Sequence, residues 1–408
     1  MTEIEERIAG VYRAEWARVV AGLARRIGDL DVAEEMAAEA FAAAVERWPV
    51  DGVPPNPGAW LATTAQRKAV DRLRREAKRD EKHKEALMLT DTPEPLGAID
   101  DDRLRLLFTC CHPALAMETR IALTLRMVGG LTAAEIARAF LVQESAMGQR
   151  ITRAKAKIKA ARIPYRVPDR EDLPARVTGV LTVLYLIFNE GYLASDPQRE
   201  AIRGELTAEA IRLTRLVRDL LPADGEVAGL LALMLLTEAR RAARLSAIGE
   251  LVPLDDQDRG AWDRALIAEG HALVRARLAS GQAPGRYQIL AAINAVHTDA
   301  PDVRDTDWSQ IVALYDMLLR LEPTPIVRLN RAVAVAELDG PQVALAQVEG
   351  LPLEGYPALH ATRARLLRRL GRSAEARAAY DRAIELESNT AATAYLTRRR
   401  DELGRESP

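Results

Sequence analysis

Aromatic residues make up only 4% of this sequence and β-branched runs are few, so a strand-built core has little to draw on. Cysteine occurs twice, side by side in "TCCHPAL", and adjacent Cys110 and Cys111 make a poor disulfide framework. Unpaired thiols fit a reducing cytoplasm and a packed core, and with His112 beside them they lack the two-residue spacing of a zinc knuckle. The five histidines are scattered, no His and Glu pair has metal-binding spacing, and no glycine loop suits a phosphate. These absences argue against an enzyme, a metal site and a cofactor. The longest apolar runs, "VTGVLTVLYLIF" and "VAGLLALMLL", fall short of the roughly 20 residues that span a bilayer. The acidic start, "MTEIEERIAG", lacks the basic-then-apolar order of an export signal, so a cytoplasmic protein without membrane contact is expected.

What is present is Ala, Leu, Arg and Glu in quantity, with 48% apolar and 28% charged residues and a net charge of −2. That composition favours an all-α fold. The 408 residues exceed what one core usually organises, and breaks in composition divide them. Residues 1–84 read as helical, interrupted by the loop "WPVDGVPPNPGAW". An acidic linker over 85–102, with Pro93, Pro95 and the triplet Asp100, Asp101, Asp102, precedes a helical segment over 103–162. A second linker, 163–174, leads into a helical remainder over 175–408.

That remainder carries a repeat pattern near 305–405. In "ALHATRARLLRRLGRSAEARAAYDRAIELESN", Ala364, Gly371, Ala376 and Ala383 stand where paired helices must approach, and Tyr380 fills the space between them. This resembles a tetratricopeptide unit; a weaker copy precedes it, with Gly340 paralleling Gly371. An unrelated helical hairpin is the competing expectation.

Chemistry-bearing residues gather in three places. In "LTAAEIARAFLVQESAMGQRITRAKAKIK", Thr132 and Glu135 have capping-box spacing and start one helix. After "LVQ", Ser145 is placed to cap a second, whose apolar positions Met147, Ile151, Ala154 and Ile158 form one inward stripe. Gln149, Arg150, Thr152, Arg153, Lys155 and Lys157 are expected to face outward. Two helices joined by a tight turn, the second exposing amides and guanidiniums, have the form of a helix-turn-helix that reads a major groove, its lysines lying along phosphate. A second basic helix, "AWLATTAQRKAVDRLRREAKRDEKHK", carries Arg67, Lys68, Arg72, Arg74, Arg75, Lys78, Arg79, Lys82 and Lys84. The third, "DLDVAEEMAAEAFAAAVERW", has the opposite sign, with Asp29, Asp31, Glu34, Glu35 and Glu39 around an apolar stripe that includes Phe41.

Together these three motifs, in this order over roughly residues 10 to 160, resemble RNA polymerase sigma factors of the extracytoplasmic-function type, which keep sigma regions two and four. "VLTVLYLIFNEGYLAS" is similar to the signature opening the long helical extension of one subgroup, thought to act as a built-in regulator. The resemblance implies a sigma region 2 domain, a region 4 helix-turn-helix domain and a C-terminal tetratricopeptide-like domain. It implies that Asp31, Glu34, Glu35, Glu39 and Phe41 meet core RNA polymerase at its clamp, with a further contact at its flap. It implies that Trp60, Arg67, Asp71, Arg72, Arg74 and Arg75 hold the promoter −10 element while it opens, a base being captured by the loop before them. Gln143, Ser145, Gln149, Arg150, Thr152, Arg153, Lys155 and Lys157 would then meet the −35 element. Asn189, Glu190, Gly191 and Tyr192 are candidates for a regulatory or interdomain contact, against a plain helix end at Gly191. A protein or small molecule acting on the extension is a further possible partner. Arg67, where many relatives have Asn, and Gly148, where many have a basic residue, bear on promoter preference. The rival readings are a stand-alone helix-turn-helix regulator with a tetratricopeptide-like sensor, and a helical scaffold for acidic proteins.

Overall fold

The computed structural model describes residues 3–77, 97–140, 142–169, 171–192, 203–246, 251–387 and 389–403. Among these the chain is helical throughout, apart from short 3-10 turns and one isolated bridge between Leu245 and Leu251. The all-α expectation therefore holds. The chain divides into two compact units, residues 1–186 and 187–408.

In the first unit, α1 (Glu3–Ile27), α2 (Leu30–Asp51) and α3 (Pro57–Ala77) pack on one another. The Asp29 carboxylate starts α2 by accepting from the backbone N–H groups of Asp31 (2.9 Å) and Val32 (3.3 Å). The loop expected from Trp48 onward is shorter than its prolines suggest: α2 runs through Pro49, and Gly52, at φ +81°, ends it. The chain continues through α4 (Gly97–Cys110), α5 (Met117–Met127), α6 (Ala133–Phe140) and α7 (Glu144–Ala160) into α8 (Leu173–Tyr192).

The predicted acidic linker needs correction. Its first part, 85–96, and with it Lys78, Arg79, Lys82 and Lys84 of the basic helix, lie outside the described residues. Residues 97–102, however, belong to α4. Asp102 is only 1% exposed, pairing with Arg25 at 3.0 Å and with Arg105. An Asp triplet reads as solvated linker until an arginine on a neighbouring helix offers it a buried partner.

The helices after α4 are held against α1 by an aromatic lock. Tyr12, Trp16 and Phe41 pack in tilted and edge-on arrangements with ring centroids 4.8 to 5.8 Å apart. Trp16 Nε1 donates to the carbonyl of Met127 (3.2 Å), and the Tyr12 hydroxyl to that of Gly130 (2.7 Å). Burial pushes the Tyr12 hydroxyl up to about 12, so it stays a donor. From the other side, the Tyr165 hydroxyl donates to Ala21 (3.0 Å) and Asp102 (3.1 Å) carbonyls. Thus the two helical segments that the sequence separates share one core.

In the second unit, α9 (Gly204–Leu220), α10 (Gly225–Glu238), α11 (Arg264–Ala279), α12 (Arg286–Asp299) and α13 (Trp308–Leu321) form a packed layer. The hairpins α14 (Pro325–Leu338) with α15 (Pro341–Val348) and α16 (Pro357–Arg369) with α17 (Ser373–Leu386) follow, and α18 (Thr390–Glu402) packs on α17. Gly340 and Gly371 make the two hairpin turns at φ +92° and +73°, where a side chain would be strained. Ala364, Ala376, Tyr380 and Ala383 meet in one buried cluster, as their spacing predicts.

Gly130 is the turn's irreplaceable residue, because its φ is +78° and an added Cβ would stand 3.0 Å from both Trp16 and Tyr12. Gly130→Ala should cost about 2 kcal/mol, while Gly22→Ala, mid-helix with open space around it, should gain about 0.5 to 1 kcal/mol. Urea unfolding of both variants checks the opposite signs.

Candidate nucleic-acid interface

The helix-turn-helix is built as its local sequence dictates. Thr132 Oγ1 accepts from the Glu135 N–H (3.1 Å), and the Glu135 carboxylate accepts from the Thr132 N–H (2.7 Å), closing the capping box. The second helix begins two residues earlier than expected. Gln143 is its N-cap, without a side-chain bond, and Ser145 lies exposed within the first turn. Met147, Ile151, Ala154 and Ile158 are buried on the inner stripe. Gln149, Thr152, Arg153 and Lys157 stand exposed along the outer side, together with Gln143 at its start, and Arg150 is half-buried. Arg153 Nη2 donates to Gln149 Oε1 (3.1 Å), which holds a guanidinium and an amide edge together on the exposed face.

Lys155 departs from the outward expectation. It is 9% exposed, and its ammonium reaches Asp31 Oδ1 (2.8 Å) and the Glu34 carboxylate on α2. The reason lies in the helical period: Lys155 is four residues after Ile151 and three before Ile158, so it shares the inner face with Ala154. Arg126 of α5 closes the cluster by pairing with Glu34, donating from Nη1 to the Leu131 carbonyl (2.8 Å) and lying over the Trp16 ring. Burial alone would lower the Lys155 pKa, but Glu34 and Asp31 more than offset it and hold the ammonium above its ordinary value. Lys159 makes the outer contact, to Asp29 at 2.8 Å.

On α3, Trp60, Arg67, Asp71, Arg74 and Arg75 follow helical spacing along one ridge; all but Trp60 are exposed. Trp60 packs edge-on to buried Trp48, with ring centroids 5.4 Å apart. Arg72 is turned to the other side and pairs with Glu35, as Lys68 does with Glu39 at 2.9 Å.

Of the five residues expected to meet a partner on α2, only Asp31, Glu35 and Glu39 reach solvent, and each is already paired with a cation of α3 or α7. Glu34 is enclosed by Arg126 and Lys155. Phe41, 4% exposed, belongs to the aromatic lock, so it shapes α2 instead of presenting a contact. An apolar residue on an Ala-rich helix is more economically buried than displayed.

The Asn189 to Tyr192 group does not end α8 at Gly191. The helix continues to Tyr192, and Gly191 is the point where α9 comes closest: an added Cβ would lie 2.6 Å from the Thr207 N, and the Gly191 carbonyl accepts from Arg203 (2.7 Å). Arg244 donates to the Tyr192 carbonyl (2.5 Å) and lies over its ring at 3.3 Å. Asn189 and Glu190 are half-buried.

Sequence reasoning missed Arg126, the Lys159–Asp29 pair and the Tyr12, Trp16 and Gly130 lock. Only the Gly129–Gly130 pair carried a local signal, that of a turn.

Comparisons with known proteins agree in order and position with these elements. Residues 12–79 match the family described as Sigma-70 region 2, and residues 105–158 that described as Sigma-70, region 4. Residues 176–278 match a family of unknown function. An uncharacterised protein of Rhizobium meliloti is 45% identical over 399 residues, 95% of this chain and 94% of that one. A Mycobacterium tuberculosis protein named "Probable ECF RNA polymerase sigma factor SigI" is 26% identical over 209 residues, 48% of this chain and 71% of that one. No solved structure matches.

Two outcomes are expected from the ion cluster. Lys155→Ala leaves Glu34 with one cation and should cost the first unit about 2 kcal/mol, less when combined with Glu34→Gln; a double-mutant cycle in urea measures the coupling. Burial tends to raise the Asp29 carboxyl, but the Lys159 hydrogen bond and the α2 amides outweigh it and hold it below its usual range. Its share of stability is full above about pH 4 and is lost as pH falls through the folded value. Asp29→Asn, still a helix cap, should therefore flatten the acid limb of the stability profile.

Proposed function

The chain belongs to the sigma-70 family, as a member of the extracytoplasmic-function type with a C-terminal helical extension, and on that premise we propose that it gives core RNA polymerase its promoter specificity. Members of this family are transcription initiation factors: polymerase does the chemistry and the sigma chain places it. The observation that carries the reading is the exposed outer face of α7, where Gln149, Thr152 and Arg153 stand free of the core on a capped helix-turn-helix. Docked in a major groove, Gln149 offers an amide matched to adenine and Arg153 a guanidinium matched to guanine, at the −35 element. Gln143, Ser145, Arg150 and Lys157 flank them within reach of bases or phosphates. The α3 ridge, Trp60, Arg67, Asp71, Arg74 and Arg75, serves the −10 element, where parting strands costs a few kcal/mol per step and phosphate contacts offset it.

The polymerase contact on α2 is occupied by the chain itself. Asp31, Glu35 and Glu39 are held by Lys155, Arg72 and Lys68. Binding to the clamp exchanges these pairs for cations of the polymerase, so α7 leaves α2 when the complex forms. Surface pairs of this kind are worth up to about 1 kcal/mol each and are exchanged readily; the enclosed Lys155–Glu34 contact sets the barrier.

Run-off transcription with core polymerase and a library of upstream sequences tests the reading. Promoter-directed transcripts are expected from the mixture and weak, salt-sensitive duplex binding from the chain alone. Arg153→Ala should reduce output about tenfold or more at promoters with a guanine at its position. Tight sequence-specific duplex binding without any polymerase dependence would favour the stand-alone regulator instead.

The extension regulates this activity in our reading. Gly191→Val, which forces the end of α8 off α9 without touching a residue assigned to DNA or polymerase, should change promoter output in a fixed amount of holoenzyme. Unaltered output from that variant would remove the regulatory role.

A further inference from the structure

Within the second unit, α10 to α13 border an open-mouthed cavity of about 250 Å³ whose lining is mostly apolar. Its floor is made of small residues on α10, Ala228 and Ala232, and its walls are Leu273, Ile289, Leu314 and Met317. Two glycines, Gly225 and Gly229, let α10 approach α12 closely beside this space. A Cβ on Gly229 would stand 2.6 Å from the Gln288 N, so the two helices meet there and splay apart beside it. A dry cavity of about 150 Å³ is enough for benzene. This one has room for an aryl group or a medium-length alkyl chain.

The rim is not apolar. Arg277 crosses it, with Nη1 donating to Gln282 Oε1 (2.6 Å) and Nε buried without a hydrogen-bond partner. Among the described residues Arg277 has no ion-pair partner. The nearby carboxylate of Glu226 is engaged elsewhere, accepting from the Tyr287 (3.1 Å) and Gln288 (3.2 Å) N–H groups at the start of α12. Gln288, itself buried, brings a second donor to the same spot. An added Cβ on Gly225 would fall 2.2 Å from Gln288 Nε2 and 2.7 Å from Arg277 Cζ, so the amide and the guanidinium converge over that glycine. A buried cation edge without a counter-ion, beside an amide donor and above an apolar hole, lacks one thing: an anion attached to an apolar body.

We propose that this cavity binds a small amphiphilic monocarboxylate, with the carboxylate on Arg277 and Gln288 and the hydrocarbon among Leu273, Ile289, Leu314 and Met317. The site lies outside every residue assigned to DNA or polymerase, and its occupancy is read without either. Such a ligand would supply the extension with a chemical input.

The test is calorimetric titration of the full-length protein with octanoate, 1-octanol and acetate as probes. Octanoate is expected to bind with one-to-one stoichiometry, 1-octanol about tenfold more weakly for want of the charge-assisted contact, and acetate not measurably. Arg277→Met should bring octanoate down to the level of 1-octanol and leave 1-octanol unchanged. Ala228→Leu, at a half-buried position on the floor, should abolish both, with circular dichroism reporting that each variant is folded. The proposal fails if octanoate gives no saturable heat, if octanoate and 1-octanol bind alike to the unmodified protein, or if Arg277→Met binds octanoate undiminished.

Discussion

Lys155, Glu34 and Arg126 form the contact on which the first unit's organisation turns. Three charges are drawn out of water between α2, α5 and α7, and each is retained because the others are in place. Desolvating such groups is costly, and their mutual attraction repays it only with good geometry and further hydrogen bonds. Those are present: Arg126 also bonds the Leu131 carbonyl, and Lys155 also bonds Asp31. The aromatic lock beside it contributes non-directional burial, and the ionic cluster supplies register. A rotation of α7 by one residue would place Ala154 or Ala156 opposite Glu34 and leave its carboxylate with Arg126 alone.

The same cluster explains why the acidic helix α2 and the basic helix α7 pack together in one compact unit. Their charges are of opposite sign, so each supplies counter-ions for the other. The interaction is looser at the rim, where Lys159 is exposed and Asp29 half-buried, than at the enclosed centre around Glu34 and Lys155.

Much of this was legible in the sequence, and the failures have physical causes. The capping box at Thr132, the inner stripe of α7 and the Ala364, Ala376, Tyr380 and Ala383 cluster are local or periodic signals, and they emerge as read. Lys155 points inward because helical period, not charge, decides its side of α7. Phe41 faces the core because family likeness marks a helix, not the side of it each residue occupies. Asp102 reads as linker in the sequence because its partner, Arg25, lies on a helix distant in sequence. The Arg277 rim and the hollow beneath it are invisible to any local pattern, since they arise from where Gly225 and Gly229 let helices touch.

The pairing of α3 with α2 bears on how firmly a member of a DNA-binding family holds duplex of any sequence. Lys68 and Arg72 are quenched internally by Glu39 and Glu35, leaving a narrower strip of positive potential than the count of basic residues implies. Every stretch of genome is a decoy for an unshielded polycation, and retention there scales with the phosphates it neutralises. Part of the basicity of α3 is thus neutralised within the molecule, which would weaken its hold on duplex of any sequence.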